Sequence, residues 1–152
     1  METLKQKTGS LGEEMAAAHL EKQGFKLIAR NWRKGSYELD IICADRGTLV
    51  FVEVKTRGEG SLEDPEQALT AHKRRSLLRA AGEYLKEADA WDCPCRFDLV
   101  CVRLVDGRAG KECLEHIENV VEFDGTIGCA GKWGRFGGGS PLDSGHTPWQ
   151  PW

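Results

Sequence analysis

The stretch "YELDIICADRGTLVFVEVKTR", Tyr37 to Arg57, concentrates side chains that could do chemistry: Glu38, Asp40, Glu53 and Lys55. It reads as two strands joined at "DRGT". If that turn is a four-residue loop, Ala44 pairs with Leu49. Ile42 then faces Phe51, Asp40 faces Glu53, and Glu38 faces Lys55. Side chains alternate along a strand, so this register predicts one shared face for all of them. Opposed residues have Cβ atoms roughly 5 Å apart, which lets the Asp40 and Glu53 carboxylates converge. Two like charges so placed repel unless something positive sits between them. A hard divalent cation with oxygen ligands, Mg²⁺ or Mn²⁺, meets that need better than zinc. Lys55, two residues beyond Glu53, would bring an ammonium within reach of a phosphate oxygen. Together these groups suit phosphodiester hydrolysis. The competing reading is a solvated face with a Glu38–Lys55 ion pair and two incidental acids. Ile42 and Phe51 argue for a partly covered face, where unpaired carboxylates are costly.

The flanking elements must hold this patch. Ser10 with Glu13 three residues on reads as a capping box, opening a helix that runs to about Gln23, with Gly24 at C′. "FKLIARNW" reads as the first strand. Asp64 with Pro65 and Gln67 reads as the start of a second helix, interrupted near Thr70 and continuing to about Glu87. Leu69, Leu77, Ala80, Ala81, Tyr84 and Leu85 mark its buried side. "RFDLVCVRL" is a fourth strand and "LEHIENVVEF" a weaker element that reads as a further strand. The order α-β-β-β-α-β predicts an α/β domain with a mixed sheet, antiparallel at the hairpin and parallel across the helical crossover.

Composition bounds the partners. The chain has 152 residues, 40% hydrophobic and 30% charged, which suits one soluble domain. No apolar run spans a bilayer, and "METLKQKTGSLGEE" has no secretory h-region, so no membrane partner and a cytoplasmic location are expected. Net charge is −3, with no global pull toward nucleic acid. Residues 22–79, however, hold 12 Lys and Arg against 8 Asp and Glu, while residues 80–124 hold 5 against 11. Within the basic half, Lys73, Arg74, Arg75 and Arg79 lie on the second helix, where they would contact phosphates without reading sequence. A solvated helix face explains the same residues.

The six cysteines are expected to be free thiols. An alternative takes Cys93, Cys95, Cys113 and His116 as zinc ligands, but C-x-C matches the usual spacings poorly. On a strand, Cys113 and His116 would also point to opposite faces. Residues 125–152 hold 8 Gly and 3 Pro besides Trp133, Trp149 and Trp152, and are expected to form a disordered tail after a domain spanning 1–124.

Asp40 followed by Glu53-Val54-Lys55 resembles the D…(D/E)-x-K signature of restriction-endonuclease-like nucleases. Taken in order, "GSLGEEMAAAHLEKQGFKLIARNWR", "YELDII", "FVEVKTR", "HKRRSLLRAAGEYL" and "RFDLV" resemble the YraN-type family of small bacterial proteins, related in fold to archaeal Holliday-junction resolvases. The likeness covers roughly residues 9–122. It implies a restriction-endonuclease-like mixed sheet flanked by helices. It further implies Mg²⁺ or Mn²⁺ at Asp40, Glu53 and the Val54 carbonyl, a catalytic Lys55, and Glu13 beside the metal. A helical wheel sets Glu13 next to Ala16, Ala17 and Leu20, which fits that role as well as the capping box does. Glu38 would orient Lys55 or only pair with it. Gln67 would lie near the attacking water. Tyr37 stands where the family usually has glycine, and would either crowd the site or pack beside it. Resolvase-like folds often pair to cut two strands, so the likeness also implies a homodimer. The expectation is a metal-dependent endonuclease acting on DNA, including branched or structured DNA. The alternative is a nucleic-acid-binding module of the same fold with little or no cleavage.

Overall fold

The computed structural model describes residues 3–58, 67, 69–105 and 114–121. The expectations for Asp64, Pro65, Cys113 and the 125–152 tail lie outside these residues, as does the proposed domain end. The elements run α1 (Leu4–Lys22), β1 (Lys26–Lys34), β2 (Tyr37–Asp45), β3 (Thr48–Arg57), α2 (Ala71–Glu87), β4 (Cys95–Arg103) and β5 (Leu114–Ile117). The five strands form one sheet in sequence order. Only β3 and β4 are parallel, and α2 makes the crossover between them. This is the mixed α/β core expected, a sheet flanked by two helices and consistent with a restriction-endonuclease-like fold.

The two faces of the sheet bury separate clusters. On one, Ile42, Phe51, Phe97 and Leu99 pack with Leu77, Ala81 and Leu85 of α2. On the other, Ile41, Val50, Val52 and Val100 pack with Ala16, Ala17 and Leu20 of α1. The predicted buried face of α2 is as observed at Leu77, Ala80, Ala81, Tyr84 and Leu85, while Leu69, also buried, lies ahead of the helix. The hairpin register also holds, with Ile42 opposite Phe51 and Ala44 opposite Leu49. Asp45 pairs with Thr48 as well, so the loop is only Arg46-Gly47. Both residues have positive φ, 47° and 82°, the geometry that matches the twist of a tight hairpin.

Both helices start elsewhere than expected. The N-cap of α1 is Thr3, not Ser10. The Thr3 hydroxyl accepts from the Gln6 N–H at 3.3 Å and the Gln6 side chain returns a bond to the Thr3 N–H at 2.8 Å. This box lies upstream of the expected one and extends the helix, leaving Ser10 and Glu13 in its interior. Thr70 caps α2, accepting from the Lys73 N–H at 3.1 Å. Gln67 is therefore not part of α2 and is exposed ahead of it. Gly24, with φ of 94°, follows the Gln23 C-cap as expected.

One irregularity bears on the site. Leu39 belongs to the α2-side cluster with Ile42, although the two lie three positions apart; Ile41 belongs to the α1 side. Strict alternation is thus interrupted at Asp40. On β1, Asn31 has φ of 51°, and the pairing passes from Arg30–Ile41 to Trp32–Leu39 without an Asn31–Asp40 pair. An Asn tolerates this left-handed backbone better than most residues. The single-face register expected for Glu38 through Ala44 is corrected accordingly.

Candidate active site

β3 supplies Glu53 and Lys55, and β2 supplies Asp40 where its pairing with β3 ends. The last β2–β3 pair at that end is Ile41 with Val52. Beyond it the Asp40 carboxylate replaces the neighbouring strand's carbonyl, with Oδ2 accepting the Val54 N–H at 2.8 Å. A residue's N–H and C=O leave a strand on the same side, so the Val54 carbonyl also faces Asp40. Glu53 is 5% exposed. Its Oε1 receives two ammoniums, Lys55 Nζ from the same strand and Lys73 Nζ from the first turn of α2, each at 3.2 Å. Its Oε2 is buried and has no hydrogen-bond partner.

Burial pushes the Asp40 carboxyl up to about 8, and the Glu53 carboxylate adds to the effect. The Val54 N–H opposes them, and Glu13 contributes a further upward push from α1. Glu13 is half-buried and free of any capping duty. Close approach of α1 to β3 brings it there: a Cβ on Gly12 would collide with the Thr56 hydroxyl. Asp40, Glu53, Lys55 and the Val54 backbone thus gather at one place, while Glu13 acts on Asp40 electrostatically without its carboxylate joining theirs at metal-ligand spacing.

The other expected residues separate from them. Glu38 does not pair with Lys55. It faces Arg33 across the β1–β2 pair and binds it at 2.9 Å, both side chains exposed. Beyond the interruption at Asp40, β2 tracks β1 and not β3, which removes Glu38 from Lys55. Tyr37 packs against the α2-side cluster, and Trp32 meets Tyr84 edge-on as a core-edge residue. The basic helix splits by function: Lys73 turns to Glu53, Arg74 donates from Nε to the Leu69 carbonyl at 3.2 Å, and Arg75 and Arg79 face solvent. The Lys73–Glu53 contact has no local signal, since the two residues lie on elements joined by a long connection.

The chain matches the family described as "Uncharacterised protein family UPF0102" over residues 12–102. The chain belongs to that family, the YraN-type family whose segments its sequence resembles. A UPF0102 protein of Nitratidesulfovibrio vulgaris is 48% identical over 146 residues, 95% of each chain. One of Lawsonia intracellularis is 40% identical over 144 residues, 95% of this chain and 96% of the relative. One of Oleidesulfovibrio alaskensis is 60% identical over 94 residues, 62% of this chain and 46% of the relative. These UPF0102 names carry no activity, so chemistry has to be argued from the site. No helix among the described residues is long and apolar enough to cross a membrane.

A second polar cluster, not apparent from the sequence, lies on the α1 side of the sheet, with Asp98 paired to Val52 and Arg96 to Val50. Asp98 is 1% exposed and accepts from Arg96 Nε at 3.0 Å, from the Asn119 N–H at 3.0 Å, and contacts His116 Nε2 at 2.9 Å. Burial alone would raise the Asp98 carboxyl, but these bonds outweigh it and hold it below the usual range. Arg96 also reaches Asp45 at 3.2 Å and Glu118 at 3.6 Å. Asp98, His116 and Glu118 offer ligand atoms within 4.8 Å of one another, and by type and spacing such a set could hold a metal ion. The Arg96 guanidinium already occupies the acids of that set, which makes it foremost a charge network tying β4 to β5. His116 and the buried Cys93 are thereby assigned to this network and to the α2-side core, not to a joint zinc site.

Proposed function

We propose that this UPF0102 protein is a metal-dependent nuclease acting on DNA, including branched or structured DNA. The observation that carries the reading is the Glu53 Oε2 atom, buried and unpartnered beside an Asp40 carboxyl that resists ionisation. A buried carboxylate oxygen without a partner costs about 1–3 kcal/mol or more, a cost that a cation removes. Asp40, Glu53 and the Val54 carbonyl are hard oxygen donors and fit Mg²⁺ or Mn²⁺, and Glu13 on α1 adds negative potential at Asp40. A divalent cation held there supplies charge stabilisation for a phosphate undergoing displacement. The Val54 N–H fixes the Asp40 carboxylate in position. Lys55 presents an ammonium at the same point, where it steadies developing negative charge and assists the attacking water. Arg75 and Arg79, exposed on α2, contact the DNA backbone without reading sequence. Cys43 and Cys101 are free thiols, which fits a cytoplasmic protein. A homodimer would supply the second centre that cutting both strands requires.

The test is a cleavage panel of linear, single-stranded, flapped and four-way DNA with Mg²⁺ or Mn²⁺, comparing wild type with Asp40→Asn and Lys55→Ala. Cutting by the wild type alone, with DNA binding kept in both variants, supports the nuclease. Binding without cutting by any of the three leaves a nucleic-acid-binding module. Equal cutting by all three rejects the site.

A further inference from the structure

Glu53 Oε1 carries two ammoniums, while its other oxygen has no hydrogen-bond partner. The two lysines are not equivalent. Lys55 stands two residues along the same strand as Glu53, fixed to it by the strand backbone. Lys73 reaches in from another element, and its side chain is 36% exposed against 26% for Lys55. It also sits in the first turn of α2, whose N-terminal end disfavours a cation and which has no acidic residue of its own. Of the two ammoniums, that of Lys73 is the one whose long, partly exposed side chain can swing outward. Outward, on the same helix, lie Arg75 and Arg79, both exposed.

We infer that Lys73 holds the place of the divalent cation on Glu53 until a nucleic-acid backbone draws it away, so that metal and polyanion bind cooperatively. The inference rests on the metal site proposed for Asp40 and Glu53. Two positive groups and a divalent ion cannot crowd one carboxylate without repulsion, and one of them must leave. Lys55 is tied to its strand, so Lys73 goes. A phosphate beside α2 gives its ammonium a new partner and removes it from the ion's surroundings. Each ligand therefore favours the other, and the coupling is reciprocal. Metal is then taken up in quantity only where substrate is present.

The test measures Mn²⁺ binding calorimetrically to the full chain at one fixed pH, with and without a duplex oligodeoxynucleotide carrying a cleavage-resistant backbone. In the wild type the duplex tightens Mn²⁺ binding about tenfold. Lys73→Gln binds Mn²⁺ about tenfold more tightly without duplex, and the duplex then adds little. Lys73→Arg keeps the wild-type coupling. Lys86→Gln, which removes one charge from the exposed far end of α2, leaves Mn²⁺ affinity as in the wild type. Thermal melts confirm that the variants are folded. Equal Mn²⁺ affinity in wild type and Lys73→Gln overturns the inference while leaving the metal site standing, and so does equal enhancement by duplex. Mn²⁺ affinity unaffected by Glu53→Gln overturns the metal site and the inference together.

Discussion

Replacing Asp40 by Asn should make the metal-free protein more stable, and increasingly so as pH rises. The Asn carbonyl can still accept the Val54 N–H that Asp40 now accepts at 2.8 Å. What the substitution removes is a carboxyl moved from 3.8 to about 8, first by burial and then by Glu53. In that window the folded chain holds a proton that the unfolded chain has released. Wild-type stability must therefore fall as pH rises from about 4 to about 8, level off above, and be unaffected below. At ~1.4 kcal/mol for each tenfold change, the full effect has a ceiling of about 6 kcal/mol. Local relaxation around the buried carboxyl reduces it. Between pH 5 and pH 9 the advantage of Asp40→Asn should grow by about 2–4 kcal/mol. For a chain of this length that is a widening of roughly 4–16 °C in Tm. Thermal or urea denaturation in a chelator, at several pH values, reads it directly. Added Mg²⁺ should restore the wild type at pH 9 and leave Asp40→Asn unchanged. A constant gap between the two proteins from pH 5 to pH 9 would refute the reasoning, because Asp40 would then be an ordinary carboxylate.

Asp98→Ala should destabilise by about 3–5 kcal/mol in urea denaturation, since it strands Arg96 in a partly buried network without its main counter-charge. Gly12→Ala should lower stability by about 1–3 kcal/mol through the clash with Thr56, and Thr56→Ala should recover part of that loss in the double variant. Glu38→Gln should change stability by less than about 0.5 kcal/mol and leave cleavage intact, because its only ion pair among the described residues is an exposed one with Arg33.

The parts of this architecture legible in the sequence are those set by local periodicity. Alternation fixed the hairpin register from Ala44–Leu49 to Ile42–Phe51, and helical spacing fixed the buried side of α2. Each failure has a physical cause. Two capping boxes compete for the start of α1, and Thr3–Gln6 wins over Ser10–Glu13 because helix can propagate through the residues between them. Alternation sets Glu38 beside Lys55 only if it continues across Asp40, and the left-handed Asn31 on β1 interrupts it there. Lys73 read as one of four phosphate contacts because helical periodicity says which residues share a face, not what that face meets. The Asp98 network was invisible for a similar reason: Asp45, Arg96, Asp98 and His116 come from three strands.

The interruption at Asp40 also explains why the signature has the spacing it has. Were β2 and β3 paired to their ends, backbone carbonyls would satisfy the Val54 N–H, and an acid at position 40 would stand above the sheet like any other side chain. Ending the ladder at Ile41–Val52 leaves the Val54 N–H and carbonyl without strand partners on that side. The carboxylate of the next residue on β2 is the group in position to take the N–H, and taking it directs Asp40 at the place the Val54 carbonyl also faces. The adjacent residue on β3 then has to be an acid whose side chain lies on the α2 face, and the one after Val54 on that face has to be the amine. Asp40, Glu53 and Lys55 are thus tied together by one local event, the parting of two strands. The folded chain keeps two carboxyls close together there, Asp40 held back from ionising by burial and by Glu53, and a bound cation relieves that repulsion.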